Sequence, residues 1–422
     1  MSRKGWILTG YKMVNIDRYL LDALRCSIRN EHVDWETELT QKEWYSLIQA
    51  AQIHDVLPLL IQAIYQSQAF LKAESRSKTS ILTRARRRAI YQASATAEFE
   101  LLYSFLTERG LYPLVIKGII LRSLYPHSEL RHSYDEDLLI SKEIFPKYHQ
   151  AMTDYGLTLV DPNEDIWRAY EVAYQDAEKH LYIEVHKSPF SPDSKAYGNL
   201  NDLFEGYHDR STTVKVYMQE FYTLSPTDHF LYLLCHAYKH FLHSGVGIRQ
   251  VADMALFSNT YFDSIDWEYI YSACQSIHIE VFAAALLRIA YRYLTMKTIP
   301  NSFAKIDIDE EPLLEDILTG GLYGVADINR AHSSNMTLHA VATQAKGRSS
   351  SGVWHSLFPG KAYLQNHFSY AKSYPILLPI AWANRIWNYL KRSNGSAQNP
   401  TESIRIGHAR IELLKKYRII DS

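Results

Sequence analysis

Residues 114–140 constrain the fold of this 422-residue chain more than any other segment. A short apolar run, Leu114 to Ile116, stops at Lys117-Gly118, and residues 119–125 have the pattern of a short helix. Asp135-Glu136-Asp137 then leads into a second apolar run. Because successive side chains of a β-strand alternate between faces, Asp135 and Asp137 are predicted to point the same way. The segment therefore predicts a strand, a turn, a helix, a loop and a strand that carries two carboxylates on one face.

Two carboxylates on one face of a strand suit a divalent cation such as Mg²⁺ or Mn²⁺, which takes oxygen ligands and leaves room for substrate phosphates. A glycine between a strand and a helix lets backbone N–H groups approach an anion at the helix N-terminus. Lys117 and Arg131 are candidates for phosphate contact, since Lys supplies a point charge and Arg a bidentate contact. For Arg131 the alternative is a structural ion pair with one of the carboxylates. Ser133 is either a contact to the ligand or only a turn residue.

Composition defines the class of protein. Apolar residues make up 47% and charged residues 22% of the chain, as in globular proteins and unlike disordered ones. The net charge of −1 argues against a role on long nucleic acid and favours a small molecule or a protein as partner over RNA. The three cysteines are scattered, and the chain has neither a signal-peptide pattern nor an apolar run of about 18 residues. These features predict a cytoplasmic protein without a transmembrane helix.

The pattern along the chain predicts an α+β protein with a central mixed β-sheet lobe flanked by helical regions. We expect an N-terminal helical region at 1–95, the sheet-containing core at 96–224, a helical domain at 225–345 and a C-terminal loop and helices at 346–422. Strands of the core are predicted at 114–116, 135–140, 157–160, 168–174 and 180–186, with an edge strand at 212–217. In the last region we expect a loop at 346–352 and an aromatic helix at 375–390. That helix either packs against the helical domain or lies on a membrane surface.

Two further groups of polar residues qualify as site residues. On a strand that ends at 186, Glu184 shares a face with His186 and would complete a three-carboxylate site with Asp135 and Asp137. A glutamate there can bind metal or take a proton from an attacking hydroxyl. A helix is predicted to begin with Ser225 as N-cap and Pro226 in its first turn. Near one face it carries His229, His236, Lys239, His240 and His243.

These histidines have three interpretations. His236, His240 and His243, together with Asp253, have the chemistry of a transition-metal site, as in metal-dependent phosphohydrolases. The adjacent His-Asp pair that such enzymes tend to carry is absent. In the second interpretation the helix lines the nucleotide or acceptor cleft, with Lys239, His240 and Arg249 near phosphates. In the third the histidines are satisfied interior residues.

Two runs of residues resemble the pattern of the uncharacterised nucleotidyltransferase family. The first comprises Lys117-Gly118, Tyr125-Pro126, Arg131 and Ser133, followed by Asp135-x-Asp137-Leu138-Leu139. The second comprises His236-x2-Lys239-His240 and Gly245-x-Gly247-x-Arg249-x3-Asp253. The family belongs to the superfamily of DNA polymerase β and the aminoglycoside nucleotidyltransferases, which pairs a Gly-Ser turn with a later acidic pair and a third carboxylate on a neighbouring strand. Here Lys117-Gly118 stands where Gly-Ser would, and Glu184 falls at the third acidic position.

The resemblance implies a nucleotidyltransferase-type sheet lobe that transfers a nucleoside monophosphate from an NTP to an acceptor and releases pyrophosphate. Asp135, Asp137 and Glu184 would be the catalytic residues and the ligands of Mg²⁺ or Mn²⁺. The expected nucleotide-binding residues are Lys117, Gly118, Arg131, Ser133, Lys239, His240 and Arg249. The sequence leaves the acceptor open among a small molecule, a sugar phosphate, a protein side chain and a tRNA end. A non-catalytic nucleotide-binding or partner-binding module on the same fold and the phosphohydrolase are the alternative functions.

Overall fold

The structure is a computed structural model that describes residues 15–344 and 400–421, apart from positions 37, 179, 244 and 323–327. The protein has an α+β fold, as predicted, in which helices flank a small mixed sheet. The predicted loop at 346–352 and the predicted aromatic helix at 375–390 lie outside the described residues. Within the described ranges, no helix combines the length and the apolar character needed to cross a bilayer.

Helices form the described part of the chain before the sheet. They are α1 (Asn15–Ile28), α2 (Gln41–Ile53), α3 (Leu57–Ile64), α4 (Gln68–Lys72) and α5 (Ser75–Thr107). Thr40 and Glu43 start α2 with a capping box, in which Thr40 Oγ1 accepts from the Glu43 N–H at 3.3 Å and the Glu43 carboxylate accepts from the Thr40 N–H at 2.8 Å. Gly110, with a φ of +72°, follows the end of α5 in the left-handed conformation that commonly ends helices.

The main sheet has five strands in the order β1-β2-β5-β4-β3. These strands are β1 (Leu114–Val115), β2 (Glu136–Leu139), β3 (Thr158–Leu159), β4 (Glu171–Gln175) and β5 (Tyr182–His186). Strands β2 and β5 are parallel, and the other neighbouring pairs are antiparallel. Helix α6 (Gly118–Arg122) follows β1, and α7 (Phe145–Asp154) lies between β2 and β3 in the chain. The five strands predicted for this sheet are therefore present and shorter than predicted, and β4 ends at residue 175 rather than 174.

The prediction of an edge strand at 212–217 in the main sheet was wrong. Strand β6 (Thr212–Val216) instead pairs with β7 (Gln219–Thr223) in a separate two-stranded antiparallel sheet. The chain reverses at Tyr217, whose φ of +52° is the left-handed conformation that tight hairpin turns require. Strand β7 has only five residues and was not predicted from the sequence. Without β7 as a pairing partner, β6 was assigned to the edge of the main sheet.

Helices also form the described part of the chain that follows the hairpin. They are α8 (Pro226–His243), α9 (Ile248–Tyr261), α10 (Trp267–Ser276), α11 (Glu280–Tyr293), α12 (Asn301–Ala304), α13 (Glu311–Gly320), α14 (Ile328–Gln344) and α15 (Pro400–Lys416). The predicted N-cap of α8 is confirmed, since Ser225 Oγ accepts from the Asp228 N–H at 3.2 Å. At the other end of α8, Arg410 of α15 donates to the His243 carbonyl at 2.8 Å. The C-terminal helix thus holds the end of α8.

Alternate strand residues divide between two hydrophobic cores. Ile183 and Val185 of β5 pack with α5 and α7 on one face of the sheet. On the opposite face, Leu114 and Leu139 join a larger core that contains both the N-terminal and the C-terminal helices. Glu184 alternates with the first pair and so lies on the second face. The domain boundaries at residues 95, 224 and 345 stay a prediction.

Candidate active site

The turn between β1 and α6 requires a glycine. Gly118 has a φ of +49°, and a Cβ atom at this position would lie 1.8 Å from Oε2 of Glu136. The Glu136 carboxylate accepts a hydrogen bond from the Ile119 N–H at 2.9 Å and pairs with the buried guanidinium of Arg122. The protein itself therefore binds the Ile119 amide that the turn would offer to an anion. Lys117 is the charged group that the turn contributes to the adjoining cavity.

Asp135 and Asp137 line one cavity, while Glu136 between them points to α6. Asp137 is fully buried in β2, and Asp135, immediately before the strand, is half-buried. The alternation expected of a strand thus places the two aspartates where one ligand can meet both.

Asp137 and Glu184 are direct neighbours across the parallel strands β2 and β5. His186, two residues after Glu184, lies with its Nε2 atom 3.0 Å from Asp137 Oδ1 and 3.6 Å from Glu184 Oε2. One ligand atom from each of these three residues lies within 4.8 Å of the others, and among the described residues no other group of three His, Cys, Asp or Glu side chains does so. Asp135 is outside this group although it shares the cavity with Asp137.

The buried Asp137 is ionised. Burial alone raises the pKa of a carboxyl group, but Lys117 Nζ lies 2.7 Å from Asp137 Oδ1 and His186 donates to the same oxygen. Together they hold the pKa of Asp137 well below its ordinary value. In return, although burial lowers the pKa of His186, its hydrogen bonds to Asp137 and Glu184 raise that pKa to about 9.

These side chains fit a divalent cation. Asp137 Oδ2 is buried and has no hydrogen-bond partner in the described part of the chain, so one oxygen of an ionised carboxylate is left for a ligand. Glu184 supplies a second carboxylate whose side chain is 21% exposed and is therefore accessible. Buried ionised oxygens of this kind are stable only when a cation or hydrogen-bond donor satisfies them.

Arg131 forms part of the cavity wall and is paired with a carboxylate from α9. Its Nε and one terminal nitrogen donate to the two oxygens of Asp253 at 3.0 and 2.7 Å. The hydroxyl of Tyr125 donates to the same carboxylate at 2.8 Å. The other terminal nitrogen of Arg131 is buried and has no partner among the residues described. The structural ion pair considered for Arg131 thus forms with Asp253 rather than with Asp135 or Asp137.

Arg249 has a similar arrangement on the same wall. It donates to Asp55 Oδ2 at 2.8 Å and to the carbonyl of His132. His132 Nδ1 lies 2.9 Å from that same Asp55 oxygen, so a residue between α2 and α3 fixes Arg249 and the loop around His132 together. The Nε atom of Arg249 is buried without a hydrogen bond to the described residues. Each of the two wall arginines therefore keeps one buried nitrogen without a hydrogen-bond partner among the described residues.

Ser133 also lines the cavity but is engaged by the protein. Its hydroxyl accepts from Arg122 at 2.7 Å, and its N–H donates to Gln92 at 2.7 Å. These two bonds hold the loop that leads into Asp135.

The histidines of α8 have separate partners. His229 donates to the Ile116 carbonyl at 2.8 Å, His236 Nε2 lies 3.2 Å from Lys117 Nζ and 3.0 Å from His240 Nε2, and His243 contacts the Tyr197 hydroxyl at 3.1 Å. His236 belongs to the cavity lining, which for the residues described includes neither Lys239 nor His240. Asp253 is bound by Arg131, and the histidine row does not gather with it into a ligand group. The geometry gives no support to a phosphohydrolase site there.

The structure adds residues that the sequence did not single out. One of them is His186, whose spacing of two residues from Glu184 places it on the same strand face without indicating a role of its own. Glu171 on β4 lies opposite His186, with Oε2 3.4 Å from its Nδ1. The register of β4 against β5 decides this contact and is not visible in the sequence. Gln250 lines the cavity next to Arg249.

The chain matches the model of a known protein family. A family model described as "Uncharacterised nucleotidyltransferase" matches residues 40–295, more than half of the chain, which confirms the resemblance of the two motif runs. Neither the curated proteins nor the solved structures that were searched gave a match. All residues that line the cavity fall within the matched range.

Proposed function

The chain belongs to the uncharacterised nucleotidyltransferase family, and from this premise we propose that it transfers a nucleoside monophosphate from an NTP to an acceptor with release of pyrophosphate. The observation that carries the proposal is the buried, ionised Asp137. Its Oδ2 atom has no hydrogen-bond partner in the described chain, Glu184 is its neighbour on the adjacent strand, and Asp135 lines the same cavity.

In the proposed reaction a nucleophilic atom of the acceptor attacks the α-phosphorus of the NTP. The bond from that phosphorus to the oxygen that bridges to the β-phosphate breaks, and pyrophosphate leaves with the electron pair. Glu184, which is partly exposed beside Asp137, is proposed to take the acceptor's proton. Asp135, Asp137 and Glu184 would hold Mg²⁺ or Mn²⁺, which when bound offsets the charge of the triphosphate and of the transition state.

The cationic side of the cavity is proposed to bind the triphosphate. Lys117 contributes an ammonium next to Asp137, and Arg131 and Arg249 each have a buried N–H without a partner in the described chain. A phosphate oxygen would satisfy these donors, since charge-assisted hydrogen bonds to phosphate are among the stronger ones. Gly118 and Ser133 would shape the turn and the loop around it. Lys239 and His240, just outside the cavity lining, would contact more distant parts of the nucleotide or the acceptor.

A labelling experiment tests the proposal. The full chain is incubated with NTPs that carry ³²P at the α- or the γ-position, with Mg²⁺ or Mn²⁺, against a cell extract as the source of acceptor. We expect label from the α-position in an acceptor, release of the γ-label as pyrophosphate, and no γ-label in the acceptor. Incorporation of the γ-label would indicate a kinase-type reaction and contradict the proposal.

Asp135→Asn is the variant that best separates chemistry from folding. Asp135 is half-buried, whereas Asp137 is tied to Lys117 and His186, so its removal would also disturb the fold. Loss of several kcal/mol of charge stabilisation predicts a decrease in transfer of at least about a hundredfold. The matched control is Asp154→Asn at the exposed end of α7, which should keep full activity. Equal activity of both variants would refute the assignment of Asp135.

A second candidate is a nucleotide-binding module without catalysis. It is favoured by the Lys117–Asp137 ion pair, in which an internal cation already occupies one carboxylate oxygen. Equilibrium binding of NTP with no release of pyrophosphate under any metal and extract condition would select this function.

A further inference from the structure

His186 lies beside the carboxylates of Asp137 and Glu184 and is close enough to share a ligand with them. It ends β5, between β2 and β4, and its side chain is 4% exposed. The Nε2 atom faces the carboxylates of Asp137 and Glu184, at 3.0 and 3.6 Å. An imidazole nitrogen and two carboxylate oxygens thus converge on one small volume.

The other ring nitrogen of His186 has the surroundings expected of a metal-bound histidine. Such a histidine usually presents its second nitrogen to a carboxylate or carbonyl group, which orients the ring. Here Glu171 Oε2 lies 3.4 Å from Nδ1, and Nδ1 forms no hydrogen bond with the described residues. Because Glu171 and His186 are paired residues of β4 and β5, the backbone fixes this approach.

The remaining coordination capacity comes from Asp137. Its Oδ1 atom is already bound by Lys117 and His186, but its buried Oδ2 atom has no hydrogen-bond partner in the part of the chain that is described. A cation bound between Oδ2, Glu184 and His186 would satisfy this orphaned oxygen. The Nε2 atom of His186 would release its proton to solvent and exchange its hydrogen bond to Oδ1 for the cation, while Lys117 stays on Oδ1.

We propose that His186 is a metal ligand together with Asp137 and Glu184, and that this mixed nitrogen–oxygen set makes Mn²⁺ the preferred cation over Mg²⁺. Mg²⁺ favours an all-oxygen shell, whereas an imidazole ligand favours transition metals. The inference rests on the proposed function for its assumption that a divalent cation binds here. Glu171 acts as a positioning residue, since its carboxylate lies 3.4 Å from Nδ1 and favours the ring orientation that turns Nε2 toward Asp137 and Glu184.

Pulsed EPR on the full chain loaded with Mn²⁺ alone tests the inference without any substrate. Electron spin echo envelope modulation should show coupling of Mn²⁺ to one ¹⁴N nucleus, and labelling of the histidines with ¹⁵N should replace that signal without changing the protein. The coupling should vanish in His186→Gln. It should persist in the matched control His149→Gln, because His149 lies on α7, contacts the hydroxyl of Tyr174 on β4 and does not belong to the proposed ligand group.

Competition between Mn²⁺ and Mg²⁺ provides the second readout. We expect the wild-type protein to bind Mn²⁺ at least about tenfold more tightly than Mg²⁺, and His186→Gln to lose most of this preference. Glu171→Gln keeps every proposed ligand, so it should lower the affinity for Mn²⁺ about 10–100-fold and retain the ¹⁴N coupling. This variant keeps the inference testable if His186→Gln fails to fold.

The results separate this inference from the proposed function. Bound Mn²⁺ without nitrogen coupling, or no binding of Mn²⁺ at all, would overturn the assignment of His186. Nucleotidyl transfer with no nitrogen coupling would leave the proposed function intact and refute this inference alone. Nitrogen coupling in a protein that never releases pyrophosphate would support the site and refute the catalytic proposal.

Discussion

Replacing Glu136 with glutamine should destabilise the protein strongly, although Glu136 lies between two residues of the candidate site. Its carboxylate is 6% exposed and pairs with Arg122, which is 1% exposed. Glutamine keeps an oxygen for the Ile119 N–H but leaves the guanidinium as a buried charge without a counter-ion. Breaking a buried pair in this way costs about 3–5 kcal/mol, a large part of the stability of a typical domain.

Equilibrium unfolding in urea, followed by tryptophan fluorescence, measures this loss. The control Glu98→Gln removes a carboxylate from the exposed surface of α5 and should change the free energy of unfolding by less than about 0.5 kcal/mol. Adding Arg122→Met to Glu136→Gln should recover much of the loss, since the unpaired charge is removed as well. A loss below about 1 kcal/mol in the single variant would refute the inward orientation of Glu136, and with it the alternation that brings Asp135 and Asp137 together.

Two other predictions concern the same part of the fold. Gly118→Ala should lower the free energy of unfolding by more than ~1–2 kcal/mol, which is the cost of placing alanine in the left-handed conformation. The additional loss is expected because the alanine Cβ would also displace Glu136. An unchanged midpoint of urea unfolding would contradict this close approach. Burial lowers the pKa of His229 to about 4. Below pH ~6.5 the unfolded chain therefore binds a proton at this histidine that the folded protein does not bind. The free energy of unfolding should fall by up to about 3 kcal/mol as the pH approaches 4. His229→Gln should flatten the measured pH dependence by this amount, and an identical dependence in both proteins would show that His229 is not buried in its neutral form.

Local patterns in the sequence were sufficient to predict the scaffold of the site. Strand alternation separated Asp135 and Asp137 from Glu136, and the spacing of Glu184 placed it on the correct face of its strand. The N-cap of α8 was predicted from Ser225 because capping depends on neighbours three residues away. These features depend on residues that are close together in the chain, so they can be predicted from the sequence alone.

The partners of the cavity arginines were not predictable in the same way. Arg131 meets Asp253 across 122 positions of sequence and Arg249 meets Asp55 across 194, so only the packing of α9 and the α2–α3 turn against the sheet lobe selects them. The contact of Glu171 with His186 depends likewise on the register of two strands. The binding of the Ile119 amide by Glu136 was missed for a related reason, since the sequence pattern shows a glycine turn but not which carboxylate lies beneath it.

The metal and triphosphate sites are tested most directly in a crystal of the full chain grown with Mn²⁺ and an NTP analogue whose α–β bridge is a methylene group. Diffraction is measured at the manganese absorption edge. We expect an anomalous peak within coordination distance of Asp137, with the triphosphate in the cavity beside Arg131 and Arg249. A manganese ion and a triphosphate bound elsewhere on the protein, with Asp137 still held only by Lys117 and His186, would contradict it.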